Sequence, residues 1–168
     1  GRWGGLQSAV GHYTKGLLHN GSHAIDLLQY LLGHLSPVAL LRRHQGGTPE
    51  DPAIDAHLET DTGAPVYLMG LDHRHFTLFE IQLFFEKGHV AIEESGRFLR
   101  LRRGEGDAHY TSHRSLPRGE WRETGFSQMM LNAVDGLHKA MTCSEPLASN
   151  GRTALSVQDL CGRLLSLE

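Results

Sequence analysis

The stretch HNGSHAIDLLQYLLG, residues 19–33, opens with two histidines four positions apart and ends as apolar core. Residues at i and i+4 share one face of a helix, so His19 and His23 are expected to point together where the first turn forms early. Behind them, Ile25, Leu28 and Leu32 make one apolar row, and Leu27, Tyr30 and Leu31 make another. A helix apolar on most sides is a buried one. Asn20 or Ser22 is expected to cap its start by accepting a backbone N–H bond. Gly33 stands where a left-handed C-cap is expected, and Pro37 forbids continuation. The rest of the chain must therefore cover this helix and leave its first turn open.

Size and charge narrow what that cover is. A chain of 168 residues is long enough for one domain with a real core. Hydrophobic residues make up 39% and charged ones 21%, a globular balance rather than a disordered one. A net charge of −3 offers no electrostatic footprint for nucleic acid or an anionic membrane. No apolar run approaches the roughly 20 residues of a transmembrane helix. The N-terminus GRWGGLQSAV lacks the basic-then-apolar grammar of a signal peptide and has no initiator Met, so the chain reads as part of a longer protein. Cys143 and Cys161 are too few for a disulfide framework and fit a reducing, cytoplasmic setting. Both fall in apolar helical patterns and are expected to be buried thiols.

Residues 37 to 115 read as strands. PVALLRRHQ, IDAHLETD, PVYLMGLDH, FTLFEIQLFFEKG, HVAIEES and RFLRLRR are short, rich in Val, Ile, Phe and Leu, and punctuated by Gly, Pro and Asp. Ile54, Ala56 and Leu58 alternate with Asp55, His57 and Glu59, which suits a sheet with one wet face. EKGHVAIEESG reads as a hairpin with Lys87-Gly88 at the turn. No helical crossover separates these strands, so mainly antiparallel pairing is expected. In FTLFEIQLFF both faces are apolar, with Phe79, Ile81, Leu83 and Phe85 on one and Phe76, Leu78 and Phe84 on the other. One face can cover the helices; a second copy of the chain is a natural cover for the other.

Helices return at the end. Phe126, Met129, Met130, Ala133, Val134, Leu137 and Met141 form an amphipathic stripe expected to pack into the core. A last helix presents Val157, Leu160, Cys161 and Leu164 on one side. The expected fold is a single α+β domain over residues 1–168. It has two layers, a large open, mainly antiparallel sheet with helices on one face.

At this point GLLHNGSHAIDLLQYLLG, residues 16–33, resembles the start of the C-terminal domain of the Gfo/Idh/MocA oxidoreductases, the glucose–fructose oxidoreductase and inositol dehydrogenase family. Members commonly show Asp-x-x-x-His-x-x-Asp there. The tail FSQMMLNAVDGLHKAM…EPLASNGRTALSVQDL is similar to the family's closing helices and the Pro-containing loop between them. The resemblance implies a dihydrodipicolinate-reductase-like C-terminal domain that closes over a nucleotide-binding Rossmann domain, supplies the substrate pocket and oligomerises through its free sheet face as a dimer or tetramer. It implies NAD or NADP as cofactor in the full-length protein and a sugar, polyol or related carbohydrate as substrate. Carried onto this sequence, the motif His falls on His23 and the later Asp on Asp26. The motif's first Asp is replaced by His19.

The residue chemistry stands beside that resemblance. Oxidising an alcohol needs a base for the hydroxyl proton, and an imidazole suits that step. His19 can donate or accept a hydrogen bond but supplies no fixed negative charge. His23 and His19 are thus the candidate catalytic residues, and Lys15 and Asn20 are placed to hold substrate hydroxyls. Asp26 is expected to bond inward from the helix. No metal site is expected: His19 and His23 lack the Glu of a zinc-protease motif, and His73 and His75 in DHRH read as a solvated rim. No Gly-x-Gly-x-x-Gly follows a strand, so the dinucleotide fingerprint is absent, as is the family's Glu-Lys-Pro segment. The chain is expected to carry half an active site and to bind no dinucleotide alone. The alternative is a non-catalytic oligomerisation or carbohydrate-binding module.

Overall fold

The computed structural model describes residues 2–44, 46–107 and 112–167, so Gln45, at the end of the first expected strand, and residues 108–111 lie outside it. Its centre is a strand with a weak sequence signal. Leu6–Thr14 (β1) buries Ala9, Gly11 and Tyr13 on one face, and two of those three positions are too small to stand out as an apolar pattern. Helix α1 (Ser22–Leu32) follows, then β2 (Leu35–His44), β3 (Ala53–Thr60) and β4 (Pro65–Leu71). Next come β5 (Phe79–Phe85), β6 (Gly88–Glu93), β7 (Phe98–Arg103), a two-stranded excursion of β8 (Glu105–Gly106) and β9 (Arg114–Ser115), and β10 (Glu120–Glu123). Helices α2 (Met129–Cys143) and α3 (Gly151–Ser166) close the chain.

The eight-stranded sheet runs β10-β7-β6-β5-β1-β4-β3-β2. Six of its neighbouring pairs are antiparallel, and one, β1 with β4, is parallel. That parallel pair exists because α1 carries the chain from β1 to the far edge, from which two hairpins return β4 to its side. The hairpin of β5 and β6 forms as expected, but Phe85 pairs with Gly88, so Glu86 and Lys87 make the turn.

Register decides which side chains meet the helices. Ala9, Ile54, Ala56, Leu58, Val66, Leu68, Ile81 and Leu83 face α1 and α3, joining Ala24, Ile25, Leu28, Val157, Leu160, Cys161 and Leu164 in one core. The close approach is made at Gly11. A Cβ there would stand 3.1 Å from Ile81 Cδ1 and 3.3 Å from Leu28 Cδ1, so α1 rests on the sheet where the sheet has no side chain. Gly33 ends α1 with a positive φ of 87°, a conformation that favours glycine.

Three expectations change here. Helix α1 is buried on one side only: Ile25 and Leu28 are core, while Leu31 and Tyr30 are exposed, Tyr30 at 69%. Helix α2 carries the expected stripe but buries none of it, and Met141 is 79% exposed. Its sequence period is correct; no element among the described residues covers it. Cys161 is buried, whereas Cys143, at the end of α2, is exposed for the same reason.

The opposite face of the sheet is half-buried and polar. One cross-strand row runs Ala39, His57, Tyr67, Val10, Gln82, Ala91, Arg100 and Trp121. His57 stacks on Tyr67 with ring centroids 5.0 Å apart, and Phe84 lies tilted against His89 with centroids 4.5 Å apart. Phe84 lies on this face as expected, but Phe76 precedes β5 in an exposed loop. His89 is 1% exposed and neither ring nitrogen has a hydrogen-bond partner. Burial, then the charges of Arg102 and Arg100, hold its pKa below the ordinary 6.5.

Two outcomes follow from this packing. Leu28→Ala should destabilise the chain by about 2–5 kcal/mol, and Leu31→Ala by about 0.5 kcal/mol, in urea unfolding. Because His89 is held neutral in the folded state, its contribution is complete above about pH 6.5 and is lost as pH falls below that value. Stability measured from pH 7 to pH 5 should therefore fall less steeply in His89→Leu than in the wild type.

Candidate functional site

The two histidines sit on a turn that is not α-helical. Leu17–Gly21 forms a π-turn, with Gly21 N–H donating to Gly16 O and Ser22 N–H to Leu17 O. Such turns recur at functional sites because they re-aim side chains. Lys15, just before it, adopts a left-handed φ of 70°, uncommon for a residue with a Cβ.

The turn is held by a residue from another loop. Asp51 accepts the Leu18 N–H at 2.7 Å and the His19 N–H at 3.0 Å, so its carboxylate satisfies the helix start from 33 and 32 residues away. Asn20 and Ser22 do not cap: Ser22 Oγ donates back to Leu18 O and His19 O, both at 2.9 Å. Gly16 makes the grip possible, since a Cβ there would lie 2.0 Å from Asp51 Oδ2. Sequence reasoning missed Asp51, because it stands in a Pro-flanked loop with no periodic link to the motif.

Beneath the turn, Tyr13 is fully buried and its hydroxyl donates to Ile54 O and accepts from Ile54 N–H. Burial raises its pKa so far that it stays protonated. It is a support, not an acid or base. Burial, then the charge of Asp51, pushes the Cys161 thiol up to about 11, so it is no nucleophile.

The expected residues divide between two places. His23 lines a cleft of about 430 Å³ between α1 and α3 with Ser22, Asp26, Gln158 and Cys161. Asp26 faces this cleft rather than bonding inward, and it also borders a second hollow of about 570 Å³ that runs past Tyr30 to Arg152. His19 is exposed and is not among the residues lining either. Its Nε2 lies 3.5 Å from Lys15 Nζ. Asn20 is half-buried and lines neither hollow. No group of three histidine, cysteine or acidic side chains able to hold a metal ion exists among the described residues.

No family model and no curated protein matches the sequence. Similarity appears in three dimensions. The chain superposes on an oxidoreductase from Desulfitobacterium hafniense, described as putative and NADPH-dependent, with a TM-score of 0.72 at 15% identity, covering 98% of this chain and 56% of that one. It matches a 3-ketoreductase from Actinomadura kijaniata, in complex with TDP-benzene and NADP, with a TM-score of 0.66 at 15% identity, covering 96% and 52%. A levoglucosan dehydrogenase in complex with NADH and L-sorbose gives 0.66 at 14% identity, covering 96% and 58%. The chain thus has the fold of part of these oxidoreductases and spans little more than half their length. That is the fold implied by the resemblance to Gfo/Idh/MocA proteins.

If Asp51 anchors the turn, Asp51→Ala should destabilise the chain by about 1 kcal/mol, as loss of a helix cap does. Hydrogen exchange at the Leu18 and His19 amides should accelerate more than at Leu28. Equal acceleration at all three would show that Asp51 supports the whole fold rather than this turn.

Proposed function

We propose that this chain is the substrate-binding and oligomerisation domain of a longer NAD(P)-dependent oxidoreductase acting on a sugar, polyol or related carbohydrate. The observation that carries the reading is the cleft at the start of α1. It places His23 beside Asp26, Ser22 and Gln158, polar groups suited to hydroxyls, on a fold shared with carbohydrate-related dehydrogenases. The uncovered stripe of α2 supports a further domain, because an amphipathic helix is stable when its apolar side is covered.

In this reading the further domain would hold NAD(P), which would supply or take up the hydride when bound. His23 takes the hydroxyl proton in oxidation and returns it in reduction. Lys15, His19 and Asn20 border the approach and hold substrate oxygens. The free sheet face joins two copies, as a dimer or tetramer. Supporting this, Tyr67 and Trp121 leave apolar area exposed on that face, and a second copy is a natural cover for it.

Turnover of sugars with NAD(P)+ by the longer protein tests the first part. His23→Ala should lower kcat by roughly 10²–10⁴ while leaving stability within about 0.5 kcal/mol. An unchanged kcat removes His23 as the base; absence of any dinucleotide-dependent turnover favours the non-catalytic module. The 168-residue chain alone should show no tight dinucleotide binding by calorimetry. For the second part, Phe84→Glu should shift the sedimentation profile toward monomer, and a wild type already monomeric at high concentration would contradict it.

A further inference from the structure

Position 19 carries an imidazole where the resemblance would place a carboxylate, so no fixed negative charge stands there. His19 meets Lys15 Nζ at 3.5 Å, and both side chains are exposed. An ammonium can only donate, so Nε2 is the acceptor, the ring proton sits on Nδ1, and two further Lys15 N–H groups remain. No carboxylate pairs with Lys15 among the described residues. Asp51, the carboxylate holding this turn, has both oxygens on backbone N–H groups, and the partial positive charge of a helix start offsets its own. What the turn shows to solvent is therefore a cation without a counter-ion, held by a backbone at φ 70°. Strained residues of this kind persist where surrounding contacts fix them, and they cluster at ligand clamps.

We infer that the Lys15–His19 pair receives an anionic oxygen group, a carboxylate or a phosphate monoester, carried by the sugar substrate. The inference rests on the reading of this turn as bordering the substrate. Lys15 supplies the charge. His19, 3.5 Å from the ammonium, accepts one of its N–H groups and leaves the other two for the anion. Asp51 is a positioning residue that keeps the pair at the mouth of α1. Neutral sugars would leave Lys15 without a partner, so the pair selects for sugar acids or sugar phosphates.

The test uses the 168-residue chain, following Lys15 and His19 signals by NMR while adding glucose, glucuronate, glucose 6-phosphate or inorganic phosphate. Either sugar anion, or both, should bind at least tenfold more tightly than glucose, and the one preferred identifies the group. Lys15→Gln should abolish the difference, and Lys15→Arg should keep it, with thermal unfolding confirming that both variants fold. Equal response to glucose and both anions, a preference that survives in Lys15→Gln, inorganic phosphate matching glucose 6-phosphate, or no response to any anion would each overturn the inference. Turnover by the longer protein is a separate readout. Anion binding without turnover would sink the oxidoreductase reading and leave this site standing; turnover of neutral sugars without anion preference would do the reverse.

Discussion

Everything in this domain depends on the contact of α1 with the missing side chain of Gly11. Interiors are close-packed, and the absence of a Cβ at Gly11 lets the Leu28 and Ile81 methyls close to 3.3 and 3.1 Å from where it would stand. Leu28 fills that space, with Ile81 and Leu68 on either side. The seat sets the depth and direction of α1, and with it the height at which the turn of residues 15–21 leaves the sheet. Strand β1 is consequently both the centre of the fold and the base of the site. Tyr13 supports the turn from below, and Asp51 grips it from the side.

The helix layer is unevenly filled. Helices α1 and α3 cover the part of the sheet formed by β5, β1, β4, β3 and β2. Helix α2 stands clear, with its apolar side chains in solvent. On the opposite face, Glu93 and Arg100 pair at 2.6 Å, and His89 is buried with neither ring nitrogen partnered. The uncovered α2 stripe is exposed apolar area of the kind that marks an interaction surface. No helix among the described residues is long and apolar enough to cross a membrane.

Much of this was legible in the sequence, and the exceptions share a cause. Periodicity located α1, α3 and most strands, because alternation at Ile54, Ala56 and Leu58 and the spacing of Val157, Leu160, Cys161 and Leu164 report one-sided burial. Strand β1 escaped because Ala9 and Gly11 are buried for their smallness, and smallness carries no periodic signal. The α2 stripe was read correctly as a pattern and wrongly as core, since a pattern states that a face is apolar but not what covers it. Asp51 was invisible because capping from a distant loop is a fact of three dimensions. His19 and His23 stood out as a pair, yet the π-turn gives them different neighbours.

We propose that the cleft beside His23 is the carbohydrate half of a dehydrogenase site. A crystal structure of the longer protein with bound NAD(P) and a sugar analogue tests it most directly. The account predicts the sugar seated at the start of α1, with its reacting hydroxyl within about 2.6–3.2 Å of a His23 nitrogen. A sugar bound elsewhere, with His23 facing solvent or protein alone, would contradict it.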